Sequence, residues 1–200
     1  ERENILSTKY TICETNHSKA IKIHNQNLQR DVNVVSANWY DDVRSIVNDK
    51  GIYRGIQVYD KCSQSVGKAD YPFLSIDRIN QRSSETSGKL KNMIRFLKNV
   101  KADSDQDIKL SRYDINAICY DIPTSKYQNE SKLNLVLVLY NQLKSIVDDK
   151  IQADKGVSVD EEEYIFKDKQ EKLDEVKKIL AEVESICLDY INVKPLSTWQ

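Results

Sequence analysis

Apolar and polar residues alternate strictly along Ala20-Ile21-Lys22-Ile23-His24, the two-residue period of a strand with one face buried. Asn25-Gln26-Asn27 interrupts the pattern as a turn cluster. Asp31-Val32-Asn33-Val34-Val35 then resumes it, with Val32 and Val34 on one face. These runs predict a β-hairpin in which Asp31, Asn33 and Val35 point away from Val32 and Val34. A third β-like run, Gly55-Ile56-Gln57-Val58-Tyr59-Asp60, follows a turn expected at Gly51.

From Tyr71 onward the period becomes helical. Pro72 suits a helix start, and the pattern predicts a short helix over Phe73 to Ile79, followed by a polar linker from Gln81 to Gly88. A second helix is expected from about Lys89 to Lys101, with Leu90, Met93, Ile94, Leu97 and Val100 along one face, ended by Ala102-Asp103-Ser104-Asp105. Ser111 is placed to cap a helix running through Tyr120, which Pro123 closes. Leu133 to Val147 is apolar on nearly every side, the pattern of a helix buried inside a bundle. An acidic loop, Asp160 to Glu163, precedes a last helix over about Lys167 to Ile191. There Leu173, Val176, Leu180, Val183, Cys187 and Tyr190 fall at alternating three- and four-residue steps, forming a packing seam. The predicted class is α+β: a small sheet first, then four or five helices.

Composition narrows the picture. A chain of 200 residues, 40% apolar and 30% charged, belongs with folded proteins of one domain or two small ones. Five glycines and three prolines exclude collagen-like and low-complexity chains. The longest apolar run, Leu135 to Tyr140, falls far short of the ~20 residues of a membrane helix, so no membrane partner is expected. Lys plus Arg number 30 against 31 Asp plus Glu. Any nucleic-acid contact must therefore come from a local patch. Cys13, Cys62, Cys119 and Cys187 are scattered without CxxC or CxxH spacing, which reads as reduced thiols of a cytoplasmic protein. His17 and His24 alone leave little material for a histidine metal site or a Ser-His-Asp triad. The chain begins Glu1-Arg2-Glu3, without Met or an apolar leader, so a segment upstream is expected.

Three segments carry candidate chemistry. The helix from Lys89 to Lys101 holds five basic residues and no acidic one. Lys91, Arg95 and Lys98, at i, i+4 and i+7, share a face beside the apolar stripe. A row of uncompensated cations repels itself unless solvent or an anion screens it. It reads either as a solvated basic face or as a polyphosphate clamp. Asp31 and Asn33 share a strand face, a placement that suits oxygen ligation of Mg²⁺, or equally an exposed polar face. In Leu110-Ser111-Arg112-Tyr113-Asp114-Ile115 a helix N-terminus offers N–H groups, a hydroxyl and an aromatic plate, or simply a cap and a packed ring.

Taken in order, these segments resemble a family. Lys19 to Ile23, Arg30 to Val35 and Ala37-Asn38-Trp39-Tyr40 are similar to the end of the catalytic palm of nucleotidyltransferases. The group in question contains oligoadenylate synthase, cyclic GMP–AMP synthase and their bacterial antiviral-signalling relatives. Tyr71-Pro72-Phe73, Gly88 to Lys98 and Leu110 to Ile115 resemble its helical lobe. The resemblance implies a small antiparallel palm-sheet remnant over residues 1–66 and a mainly α-helical lobe over 67–200.

It further implies a nucleoside triphosphate partner whose nucleotidyl group passes to a hydroxyl of a second nucleotide or of an RNA end. Lys91, supported by Arg95 and Lys98, would grip the triphosphate, with Ser111 beside it, and Tyr113 would stack on the base. Two Mg²⁺ ions would be held by three carboxylates. The third carboxylate position is Asn33, just ahead of Val34-Val35, with Asp31 on the same face. Two departures stand out. No Gly-Ser turn with an Asp-x-Asp strand precedes residue 33, so the first two carboxylates are expected upstream of Glu1. Asn33 brings no negative charge and cannot act as a base. These departures leave two rival readings: a catalytically inactive nucleotide or RNA sensor, and a helical interaction domain docking a partner through the Leu173–Tyr190 seam.

Overall fold

The computed structural model describes residues 2–48, 53–128 and 131–193. The chain folds as two compact units that divide between Leu74 and Ser75. The turn expected at Gly51 lies outside the described residues, as does the side chain of Tyr190.

The first unit runs α1 (Arg2–Lys9), β1 (Cys13–Glu14), β2 (Ala20–Asn25), β3 (Arg30–Val35), β4 (Ala37–Tyr40), α2 (Val43–Asn48), β5 (Gly55–Asp60) and β6 (Ser65–Val66). The predicted hairpin is present: β2 and β3 pair antiparallel with Ile21 opposite Val34 and Ile23 opposite Val32. Ile21 and Ile23 are buried, whereas Asp31, Asn33 and Val35 lie on the exposed face as the alternation requires. Gln29 takes a left-handed φ of 49° to bring the chain round between the strands. The strand predicted at Gly55–Asp60 is β5, and it forms a second antiparallel sheet with β4 and β6. The pattern of Ala37 to Tyr40 gave no hint of β4, because all four residues are exposed and its register rests on β5 alone, with Trp39 opposite Ile56. Behind that sheet Gly55 faces the ring of buried Tyr71; a Cβ there would come within 3.0 Å of the ring. The Tyr71 hydroxyl donates to Asp42 at 2.9 Å.

The remaining elements are α3 (Pro72–Glu85), α4 (Lys89–Asp103), α5 (Arg112–Asp121), a 3₁₀ turn at Thr124–Tyr127, α6 (Lys132–Asp148), α7 (Lys150–Lys155) and α8 (Gln170–Val193). The short helix and polar linker expected over Phe73 to Gly88 are instead one helix through Glu85. Near its end the hydroxyls turn back onto the helix: Ser84 donates to the Asn80 carbonyl, and buried Thr86, just past Glu85, to the Arg82 carbonyl. The chain then reverses through Ser87 and Gly88, both at positive φ, and the Thr86 hydroxyl accepts the Leu90 N–H at the start of α4.

The apolar stripe read from the sequence, Leu90 to Val100, is buried in full. It joins one core with Leu139 and Leu143 of α6, Ile115 and Ile118 of α5, and Val176 and Val183 of α8. The seam of α8 packs against α6 as predicted. The expectation that α6 is buried all round is corrected: Leu135, Leu139, Leu143 and Ile146 are buried, but Leu133 and Leu137 are 43% and 46% exposed. A helix at the side of a bundle buries one stripe, however apolar its remaining surface. No helix among the described residues is long and apolar enough to cross a membrane.

Candidate functional site

The exposed face of the β2–β3 hairpin is set by register. His24 stands opposite Asp31, and Lys22 opposite Asn33. The Asp31 carboxylate meets His24 Nδ1 at 3.0 Å and Lys22 Nζ at 3.0 Å. The hydrogen bond from His24 first, and that from Lys22 second, hold the Asp31 carboxyl below its ordinary range. Lys22 is raised in turn, chiefly by its hydrogen bond to Asp31. Asp31 and Asn33 line a shallow cleft of about 420 Å³ together with His17, Lys19 and Lys22. Sequence reasoning picked out Asp31 and Asn33 and missed Lys22 and His24, although a hairpin with a known turn places these two across from them.

This face is also the place to test a two-metal site. Among the described residues no group of three His, Cys, Asp or Glu side chains could hold a metal ion. The Asp31 carboxylate is already engaged by an ammonium and an imidazole, Glu14 on the same face lies against His17 and Lys22, and Asn33 adds only a neutral amide oxygen. The residues of this chain do not by themselves make the Mg²⁺ site that the resemblance implies.

In the second unit, α4 carries the basic row on the side away from its buried stripe. Two of its five cations serve the fold: Lys89 Nζ donates to the Tyr127 carbonyl at 2.8 Å, and Lys101 Nζ to the Leu110 carbonyl at 2.6 Å. Lys91, Arg95 and Lys98 enter no ion pair among the described residues. Lys98 is half-buried, and desolvation first, then the nearby Arg112 guanidinium, push its pKa down. Arg112, which the sequence reading passed over, thus extends the cationic surface from α4 onto α5.

Ser111 is the N-cap of α5. Its hydroxyl accepts the Asp114 N–H at 3.1 Å, while its own N–H donates to Asp114 Oδ2 at 2.7 Å, completing a capping box. Asp114 is buried and also takes Lys172 Nζ of α8 at 2.5 Å, so the start of α5 is held rigidly. Tyr113, one position into the helix, is 49% exposed. Arg95 differs from its two companions, because it lines a groove of about 560 Å³ between α4 and α6 with Asn92, Phe96 and Asn99. The i, i+4, i+7 spacing of Asn92, Phe96 and Asn99 was visible in the sequence but drew no attention beside the charges.

Of the seven candidate residues, Asp31 and Asn33 lie together in the first unit. Lys91, Arg95, Lys98, Ser111 and Tyr113 lie on α4 and at the start of α5 in the second. The second group could hold a polyanion against the α4–α5 surface, with an aromatic ring beside it.

A c-di-GMP synthase from Capnocytophaga granulosa is 52% identical over 186 residues, which cover 92% of this chain and 53% of that protein. A c-di-GMP synthase from a Lachnospiraceae bacterium is 42% identical over 189 residues, 94% of this chain and 54% of that protein. The chain thus spans about half the length of these curated relatives. Among solved structures, the STING-associated CdnE c-di-GMP synthase of Capnocytophaga granulosa matches with a TM-score of 0.86 at 49% identity, covering 96% of this chain and 62% of that one. The Rhodothermus marinus CdnE c-UMP-AMP synthase, at 18% identity and a TM-score of 0.70 over 94% of this chain and 64% of that one, shares the fold. The model of the cGAS/DncV-like nucleotidyltransferase C-terminal helical domain matches residues 77–188, which take in α4, α5, α6 and nearly all of α8. The chain belongs to the cGAS/DncV-like nucleotidyltransferase family and carries its C-terminal helical domain.

Proposed function

We propose that this chain is the C-terminal half of a synthase that joins two GTP molecules into c-di-GMP, and that its α4–α5 surface grips the donor triphosphate. The observation that carries the reading is the row Lys91, Arg95 and Lys98, continued by Arg112. No carboxylate neutralises any of these groups among the described residues. The identity of the product is taken from the two c-di-GMP synthases that the chain resembles.

In each step the 3′-hydroxyl oxygen of one nucleotide attacks the α-phosphorus of the other. A P–O bond forms, the bond to the β-phosphate oxygen breaks, and pyrophosphate leaves with the electron pair while the hydroxyl gives up its proton. A second displacement in the opposite sense closes the ring and releases a second pyrophosphate. Negative charge builds on the leaving group, where Lys91 and Lys98 stabilise it. Tyr113 offers its ring to the guanine. Remaining metal ligands would come from the part of the relatives' length that this chain does not span.

The test is calorimetry of the 200-residue chain with GTP, paired with a synthesis assay in a protein of the relatives' full length. Lys91→Ala and Lys98→Ala should each weaken GTP binding about tenfold or more, the loss of one charge-assisted contact. Both should lower c-di-GMP formation by a larger factor. Unchanged binding and synthesis in both variants would overturn the clamp.

Asn33 favours a second reading, a relative that binds nucleotide without turning it over. Under it, the full-length protein binds GTP but makes no product, and Asn33→Asp raises synthesis by orders of magnitude. Robust synthesis with Asn33 in place would dispose of this alternative.

A further inference from the structure

We propose that the groove between α4 and the first half of α6 is a second ligand site, for a purine nucleoside monophosphate, which adjoins the triphosphate clamp and shares Arg95 with it. Its volume of about 560 Å³ falls within the ~300–1,000 Å³ of small-molecule sites. The walls are apolar and come from both helices: Met93 and Phe96 from α4, Leu135 from α6. Met93 and Leu135 are buried and form the floor, while Phe96 stays half open to solvent. Apolar side chains of this kind can pack against a face of a flat heteroaromatic ring.

The polar lining comes from Ser87, Lys89, Asn92, Arg95 and Asn99. Asn92, Arg95 and Asn99 are exposed along the rim, at i, i+3 and i+7 of a single helix. A carboxamide donates and accepts side by side, which matches the paired donor and acceptor on a purine edge. The Arg95 guanidinium presents a fork to one phosphate group. Among the described residues no acidic side chain lines the groove. Lys89, the other cation at the groove, already gives its Nζ to the Tyr127 carbonyl. The expected ligand therefore carries a single phosphate rather than a triphosphate.

Apart from Arg95, the two sites draw on different residues. Lys98 senses Arg112 of α5, whereas Asn92 and Asn99 line the groove that α6 walls. Arg95 stands at the border of both. This site does not rest on the proposed synthase activity, and it could serve to sense nucleotide whether or not the protein turns over GTP.

The test is an NMR titration of the isotope-labelled 200-residue chain with GMP. The Asn92 and Asn99 side-chain amides and the Leu135 backbone amide should shift together and saturate. Asn92→Leu and Asn99→Leu, exposed positions whose folding is checked from their spectra, should each weaken GMP about fivefold or more. Lys98→Ala should leave these shifts unchanged, and guanosine, lacking the phosphate, should shift the same amides with weaker affinity. Three results would overturn the site: shifts confined to the surroundings of Lys98, Arg112 and Tyr113; loss of the Asn92 and Asn99 response in Lys98→Ala; or no saturable response to millimolar GMP. CMP binding as tightly as GMP would refute the purine assignment. Loss of GTP binding in Lys98→Ala with the GMP response intact would separate the fate of this site from that of the clamp.

Discussion

Asp31 sits between the Lys22 ammonium and the His24 imidazole of the neighbouring strand, and its titration reports that geometry directly. Its hydrogen bonds to His24 and to Lys22 lower its pKa from the ordinary 3.8. A depressed carboxyl stabilises the fold fully above the unfolded pKa, and that contribution is lost as pH falls through the folded value. The side-chain carboxyl carbon of Asp31 should accordingly titrate with a midpoint below 3.8. Lys22→Ala and His24→Ala should each move the midpoint upward; a midpoint indifferent to both would mean the cross-strand contacts do not form in solution. Asn33→Asp would place a second carboxylate two residues along the same face, opposite Lys22. The two acids would then compete for one ammonium, and Asp31 should titrate higher. Ser111 teaches a different lesson at this scale. Its part in the capping box fixes the start of α5, so a variant there would disturb Tyr113 and Arg112 before it removed any contact with a ligand.

At the scale of elements, α6 and α3 show how far a pattern reaches. Leu135, Leu139 and Leu143 recur every four residues and face the core, whereas Leu133 and Leu137 point outward. Leu139→Ala should cost about 3 kcal/mol, since a fully buried leucine leaves a cavity behind. Leu137→Ala should cost less than about 1 kcal/mol. Urea denaturation of the two variants checks the difference; equal losses would mean that α6 is enclosed on both sides in solution. In α3, Arg82 donates to the Tyr120 carbonyl and lies 3.7 Å above the Tyr120 ring. That anchor ties the polar half of the helix to α5, a role no local pattern announces.

Across the whole molecule the two units differ in how much they bury. The second has a continuous core drawn from α4, α5, α6 and α8. Among the described residues of the first, only Ile21, Ile23, Tyr71 and Leu74 are buried hydrophobic side chains, while Val43, Ile46 and Val47 of α2 are 74%, 71% and 75% exposed. Burial of apolar area is the main source of stability, so the units should open independently and at different cost. Amide exchange of the 200-residue chain should be at least about tenfold faster in β2 and β3 than in the centres of α4, α6 and α8. Equal protection in both would show that the sheet draws stability from contacts beyond its own core.

The sequence by itself determined the α+β order, the hairpin with Asp31 and Asn33 on one face, the α4 stripe, the Ser111 cap and the α8 seam. Each follows from a period of two, a period near 3.6 or a capping residue, all of which are local properties of the chain. It also pointed to the nucleotidyltransferase family, through motifs that are weak singly and informative in their order. Tertiary structure decided the rest. Whether Leu137 is buried depends on what lies beside α6, and whether Lys89 is a clamp or a strut depends on the carbonyl of Tyr127. That Lys98 lies near Arg112 while Arg95 lines the α6 groove depends on how α5 and α6 flank α4. A linear pattern fixes which residues share a face, but only the packing of one element on another fixes what that face meets.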